Sequence, residues 1–264
     1  MIPKSHPRYE SLMTRDKIVE GVKQGITGMQ GLIAQGRGEA FDYLIGENTT
    51  PGALHAQRVA AATLLLAKRP VISVNGNVAA LVPDEIIRLS EAVNAQLEVN
   101  LFHRTEERVN AIIRHLRAKG AKNMCTKSDA LIPGIEHERA KVDSTGIFTA
   151  DVVLVPLEDG DRCKALADMG KTVIAIDLNP LSRTAQCAHV TIVDNIIRAI
   201  PNITGFAKEY GISGKDELQK LVEGFDNKKN LADAIDNILK HLSSCKLDRT
   251  PKSGRVGKVV KEHS

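Results

Sequence analysis

The stretch DLNPLSRT, Asp177 to Thr184, follows the apolar run VIAI and crowds polar side chains into a short segment. A carboxylate at Asp177 can accept from both hydroxyls of a ribose, because each oxygen carries free acceptor sites. Arg183 presents a planar fork that matches a phosphate. Ser182 and Thr184 can donate to phosphate oxygens, and a helix starting near Ser182 would add backbone amides that favour an anion. Together these residues read as nucleotide recognition. The same residues also read as a plain turn, with Asp177 and Asn179 bonding their own backbone and Ser182 capping a helix.

Other clusters carry comparable chemistry. PLEDGDR places Glu158, Asp159 and Asp161 together, and a Mg²⁺–ATP complex needs only one or two such carboxylates beside its phosphates and waters; ordinary helix capping by Asp161 is the competing account. In QGRGE, Arg37 lies between glycines and could reach a phosphate, or the segment is a flexible turn between helices. VNGN, Val74 to Asn77, is a glycine-containing turn or a loop touching substrate. Arg104 in FHRTEER could clamp an acid just after a strand, or open a helix with no ligand; His103 reads as structural. No GxxxxGK[ST] phosphate loop, no strand-associated GxGxxG, no HExxH and no GxSxG occurs.

The elements that must position these residues follow from periodicity. Residues 12–68 are mostly helical, interrupted by glycines, and Asn48-Thr49-Thr50-Pro51 caps a further helix with Pro early in its first turn. Short apolar runs then alternate with helical segments: PVISV, LEVNLF, a short run near 121–126, DVVLVP, KTVIAID and HVTIVD. This alternation implies right-handed βαβ units and an α/β fold with a Rossmann-like parallel sheet flanked by helices. NIIRAIPNITGFAKEY reads as a helix broken near Pro201, and DELQKLVEGF and NLADAIDNILKHL as closing helices. One domain over 1–245 is expected: helical over about 8–68, sheet-containing over about 70–210, and helical again over about 214–242. In such sheets ligands bind beyond the carboxyl ends of the strands, near a switch in strand order. The strand-end sequences VNGN, NLFHRT, PLEDGDR, DLNPLSRT and VDN should therefore build the site.

Composition narrows the class. The net charge is +4, and residues 246–264 account for all of it, with six Lys or Arg against Asp248 and Glu262. The remaining body is neutral, aromatics make up 3% and tryptophan is absent, which argues against a nucleic-acid-binding surface. The tail has no apolar period and is expected to be a mobile, solvated end. The longest apolar run, Val59 to Ala67, is far shorter than the ~18 residues of a membrane span. The cysteines are scattered without a CxxC pair, and the N-terminus has no apolar signal region. A cytoplasmic protein without membrane or nucleic-acid partners is expected.

Taken together, the blocks IPKSHPRY, GLIAQGRGEAFDYLIGE, VISVNGNVAALVP, ADVVLVPLEDGDR, IDLNPLSRTA and TIVDN resemble the archaeal phosphopantothenate synthetase (4-phosphopantoate–β-alanine ligase) family. The likeness runs in one order from Ile2 to about Leu242 and excludes the basic tail. It departs at Gln35, where histidine is expected in the block AHGRGE. The resemblance implies a homodimeric cytoplasmic enzyme of coenzyme A biosynthesis. Such an enzyme joins 4-phosphopantoate to β-alanine while ATP, with Mg²⁺, becomes AMP and pyrophosphate. Carried over by motif, it implies ATP contacts at Arg15, Arg37, Asp177, Leu178, Asn179, Arg183, Thr184, Asn195 and Ile196. For that chemistry, position nominates Arg104 or Arg162 for the phosphate of the acid, and Glu158 to hold the incoming ammonium or take its proton. The competing functions are a non-catalytic nucleotide-sensing module and a phosphotransferase that releases ADP.

Overall fold

A computed structural model describes residues 3–6, 8–136 and 138–245. The basic segment 246–264, expected to be mobile, lies outside the described residues.

The chain opens with three helices, α1 (Tyr9–Lys23), α2 (Met29–Ile45) and α3 (Pro51–Leu66). Strand β1 (Pro70–Val74) leads into α4 (Gly76–Leu81) and α5 (Pro83–Ala92), and β2 (Gln96–Val99) into α6 (Glu106–Ala118). A short β3 (Met124–Cys125) precedes an antiparallel pair, β4 (Ala130–Leu131) and β5 (Lys141–Val142). Then come β6 (Val152–Pro156), α7 (Gly160–Asp168), β7 (Thr172–Ile176), α8 (Arg183–Cys187), β8 (Val190–Ile192) and α9 (Ile196–Tyr210). Helices α10 (Lys215–Glu223) and α11 (Asn227–Ser244) finish the fold.

The main sheet has six strands in the order β3-β2-β1-β6-β7-β8, and every neighbouring pair is parallel. The chain runs outward from β1 to β3, returns to the middle at β6, and runs outward again to β8. The reversal therefore lies between β1 and β6, which is where a parallel sheet opens a crevice for ligand. Alternate residues of the central strands face opposite layers, as the pleat requires. Ile72, Leu154, Ile174 and Ile176 enter the core shared with α3, α5, α6 and α9. Val71, Val153, Val155, Val173 and Ala175 enter a second core with Cys163 and Leu166 of α7. Burial on both faces explains why the strands read as unbroken apolar runs rather than alternating ones.

Sequence-coded caps fix several helix starts. The Thr50 hydroxyl accepts from the Ala53 N–H, with Pro51 next in line, and Thr105 does the same for Arg108 ahead of Glu106 and Glu107. Other expectations are corrected. Helix α9 is continuous through Pro201. The ring lies on the exposed side, while Ala199, Ile200, Ile203, Thr204 and Ala207 bury the opposite face, so packing carries the turn where one hydrogen bond is missing. QGRGE is not a turn but the middle of α2. VNGN is not a free turn either: Asn75 caps α4, which begins at Gly76. The run near 121–126 forms a strand only at Met124–Cys125.

Candidate active site

A cleft of about 560 Å³ opens across the carboxyl ends of the parallel strands. Strands β1 and β7 are each followed at once by a cleft-lining polar residue, Asn75 and Asp177, and β6 delivers Glu158 one position later. Asn75 follows β1, and its side-chain amide donates to the carbonyls of Pro156 (3.1 Å) and Leu157 (2.9 Å) at the end of β6. That bridge ties the switch point together. Leu157 holds φ 55°, the left-handed region that a bulky residue rarely adopts. The kink, anchored by the Leu157 N–H on Ile176 O (3.1 Å), turns Glu158 into the cleft.

Helix α2 forms the facing wall, and its glycines explain how it comes so close. A Cβ at Gly31 would stand 2.3 Å from Asn77 Oδ1 and 2.5 Å from Thr27 Cγ2, so only glycine fits there. Gly160, at the start of α7, abuts Arg183 as tightly, with 2.4 Å to its Cβ. QGRGE itself continues α2 past this close approach and places Arg37 on the cleft lining.

At the β7 end, Asp177 accepts from the Asn179 N–H (2.9 Å) and from the Ser182 hydroxyl, and Ser182 caps α8 through the Ala185 N–H (2.9 Å). The turn-and-cap account of this cluster is therefore correct as structure. Asp177, Leu178, Asn179, Ser182, Arg183 and Thr184 nevertheless all line the cleft. Burial raises the Asp177 pKa against the pull of Ser182, Asn179 and the Arg37 charge. Asn195 and Ile196 also line it at the start of α9. The Asn195 amide donates to Asp42 Oδ2 (2.7 Å), and Arg198 ties Asp42 to Asp194, which is buried and also takes Gln57 Nε2 (2.8 Å).

Glu158 and Asp159 face the cleft with pKa values raised by burial, Glu158 beside the Arg162 guanidinium (3.4 Å), which pulls the other way. The oxygens of Glu158 and Asp159 are hard ligands suited to a Mg²⁺ ion that also keeps waters or other oxygen ligands. Among the described residues no cluster of three or more protein ligands could hold a metal unaided.

Several expected site residues lie elsewhere. Arg15 sits outside the cleft, held by Glu39 in a bidentate pair (2.9 and 2.8 Å) that lowers the Glu39 pKa against its burial. Arg104 is buried against Ser128 and Glu106, and Arg162 is fully buried behind Glu158 with Nε and one terminal nitrogen lacking hydrogen-bond partners. Neither lines the cleft. Sequence reading passed over Arg108, which does, and Glu98, which does not but holds the segment over the β2 end. Glu98 accepts from the Ile147 N–H (2.7 Å), the Asp143 N–H (3.1 Å) and the Asn100 amide (3.1 Å). A carboxylate inside the apolar run LEVNLF was the available signal for Glu98. Arg108 gave none, lying among other charges at a helix start.

A parallel sheet covered on both faces, with a polar, arginine-lined cleft at its switch point, defines an α/β protein of the class that binds ligands beyond its strand ends. The family description "Phosphopantothenate/pantothenate synthetase" matches residues 52–241. A Methanosarcina mazei protein named 4-phosphopantoate–β-alanine ligase is 58% identical over 243 residues, covering 92% of this chain and 96% of the relative. A protein of the same name from Thermococcus onnurineus is 57% identical, covering 92% and 94%. One from Methanospirillum hungatei is 51% identical, covering 92% and 98%. The chain belongs to the phosphopantothenate/pantothenate synthetase family.

Proposed function

We propose that this protein is a 4-phosphopantoate–β-alanine ligase of coenzyme A biosynthesis that consumes ATP and releases AMP and pyrophosphate. The observation that carries the reading is a single cleft with arginines at both ends and a buried carboxylate, Glu158, between them. A carboxylate is a poor electrophile and must first be activated. Its oxygen attacks the α-phosphorus of ATP, the bond from that phosphorus to the bridging oxygen breaks, and pyrophosphate leaves. The amine of β-alanine then attacks the acyl carbon, and AMP departs with the carboxyl oxygen it acquired. Charge builds on phosphates in the first step and a proton must leave nitrogen in the second. Positioned cations and one base meet those needs without a protein nucleophile.

In this reading Asp177 takes the ribose hydroxyls. Leu178, Asn179, Asn195 and Ile196 surround the nucleoside, and Arg37, Arg183 and Thr184 take the phosphates. Asp159 would help to hold a Mg²⁺ ion bound to ATP, which would supply positive charge to the phosphates. Glu158 receives the ammonium or its proton, with Arg162 setting its basicity from behind. Arg104 orders the loop at Ser128 rather than meeting ligand. The enzyme works as a cytoplasmic homodimer. Met29, Ile33, Gly36, Ala40 and Tyr43 are all exposed at alternating four- and three-residue spacing along α2, one continuous seam able to pack against its own copy. Arg15 stands beside that seam near Tyr43, and its nucleotide contact is tied to the dimer.

Incubation with ATP, Mg²⁺, 4-phosphopantoate and β-alanine, followed by identification of the nucleotide, tests the reading. AMP with pyrophosphate and 4-phosphopantothenate is expected. ADP would make the protein a phosphotransferase or an acyl-phosphate ligase, and tight ATP binding without turnover would make it a nucleotide sensor.

A further inference from the structure

The cleft end below β1 and β2 contains a cation with no role in the nucleotide assignment. Arg108 lies in the first turn of α6 and lines the cleft beside Gly28, Gln30, Asn77 and His103. Its terminal nitrogens donate to main-chain carbonyls, one to His103 O at 2.6 Å and one to Ile26 O at 3.4 Å, and its Nε is buried without a hydrogen-bond partner. No carboxylate among the described residues pairs with it. Burial lowers its pKa, and no ion pair acts to raise it. Carbonyl dipoles orient the guanidinium but do not neutralise it. A half-buried, uncompensated Arg facing a ligand cleft is matched by an anion, and the planar fork suits a phosphate better than a single-point acceptor.

The other arginines near this end are already engaged. Arg104 is committed to Ser128 and Glu106, and Arg162 is sealed behind Glu158. The nucleotide-side cations, Arg37 and Arg183, sit with Asp177 at the far end, where Arg37 acts on the Asp177 charge and Arg183 packs on Gly160. Glu158 stands between the two groups. A ligand with its carboxylate near Glu158 and a phosphomonoester at its other end would direct that phosphate toward Arg108.

We infer that Arg108 seats the phosphomonoester of the carboxylic-acid substrate and is the residue through which the enzyme tells 4-phosphopantoate from unphosphorylated pantoate. The inference rests on the ligase reading above and adds the residue that reads the phosphate. When the phosphate is absent, Arg108 keeps its charge in a desolvated place with nothing to match it, so pantoate should be a poor substrate.

The test compares the wild type with Arg108→Ala and Arg108→Lys, using ATP and β-alanine with either acid. In Arg108→Ala, kcat/KM for 4-phosphopantoate should fall about 10- to 100-fold, the range for one charge-assisted contact. The value for pantoate should fall far less, so the preference between the acids shrinks, and KM for ATP should move less than KM for the acid. Arg108→Lys keeps the charge without the fork and should lose an intermediate part of the preference. If alanine fails to fold, the lysine variant decides alone, and an unchanged preference in it overturns the inference. Equal losses on both acids, or a loss confined to ATP, would also overturn it. Calorimetry of each acid without ATP separates the two levels of argument. A wild type that binds 4-phosphopantoate through Arg108 but forms no amide refutes the ligase reading alone. A wild type that forms the amide with Arg108 irrelevant to its choice of acid refutes only this inference.

Discussion

At the β7 end of the cleft the polar groups are already bonded to one another: Asp177 to Asn179 and Ser182, Ser182 to Ala185, Thr184 to the Glu158 carbonyl. At the β2 end Arg108 is propped by carbonyls, and its charge has no carboxylate partner among the described residues. The first end is built before ligand arrives, with a turn and a helix cap that also present ligand-facing atoms. The second holds an open charge that ligand must complete. Glu158, at the join, shares in both, since its backbone carbonyl accepts from Thr184 while its side chain meets Arg162. A cleft made this way should bind nucleotide with little rearrangement and choose its acid by charge matching.

The largest effect should come from the residue between the ends. Glu158→Gln removes the proposed base, and kcat should fall about 10²- to 10⁴-fold, the usual worth of proton transfer by a positioned side chain. Burial raises the Glu158 pKa above the ordinary carboxylate value, with Arg162 opposing. The active form is the carboxylate, so kcat/KM for β-alanine should rise with pH through that raised value, and the limb should vanish in the variant. The stability consequence has the opposite sign. A raised folded-state pKa contributes stability that is complete below the unfolded value and is lost as pH rises through the folded value. Melting temperature should therefore decline across the same window in which activity rises, and Glu158→Gln should flatten that decline. A pH profile identical in wild type and variant would return Glu158 to a purely structural partner of Arg162.

Next comes the preformed end. Asp177→Asn keeps the size but loses a charged acceptor, and ATP affinity should weaken by about 1.5–3 kcal/mol. Because Asp177 also holds its own turn, the melting temperature should drop as well. Arg183→Ala should lower kcat along with affinity if it grips phosphate as charge develops. Normal ATP affinity and turnover in both variants, with only the melting temperature changed, would reduce the cluster to a decorated turn and remove one side of the comparison.

What sequence could reveal follows the same division. The parallel sheet was legible because strands covered on both faces leave continuous apolar runs, and the strand-end rule then pointed to DLNPLSRT, PLEDGDR and VNGN before any geometry was known. A preformed turn is local, so its residues are neighbours in the chain. The β2 end is assembled across long separations. Arg108 reaches Ile26, and Glu98 reaches Ile147, contacts that leave no spacing to read. Pro201 misled for a related reason: a proline breaks a helix by local rules, and only the apolar face of α9 packed on α3 and α5 overrides them.

A smaller pair of effects separates the ends directly. Gly160→Ala pushes a Cβ into Arg183, and Gly31→Ala pushes one into Asn77 and Thr27. Overpacking of this kind costs about 1–3 kcal/mol. Both variants should lose stability to a similar degree, yet KM for ATP should rise chiefly in Gly160→Ala and KM for 4-phosphopantoate chiefly in Gly31→Ala. Matching rises in both Michaelis constants for both variants would mean that the cleft responds as one unit.

The smallest expected effect tests what the ends share. Each rests on a buried thiol: Cys163 beneath the β7 end, where its Sγ lies 3.6 Å from Thr184 O, and Cys125 beneath the β2 end, next to Gly146 and Glu98. Burial pushes the pKa of each up to about 12, with nearby carboxylates adding to the rise at both. The reactive species is the thiolate, so neither should react with an alkylating reagent near neutral pH while the fold is closed. Exposed Cys245 should react quickly, and half-buried Cys187 more slowly. Saturating ATP should leave this pattern almost unchanged, because a preformed end has little opening to suppress. Rapid modification of Cys125 in the free protein, slowed by 4-phosphopantoate, would show that the β2 end opens before it binds. In that case the open charge at Arg108 would belong to a moving wall, and the acid would be selected by closure as well as by charge.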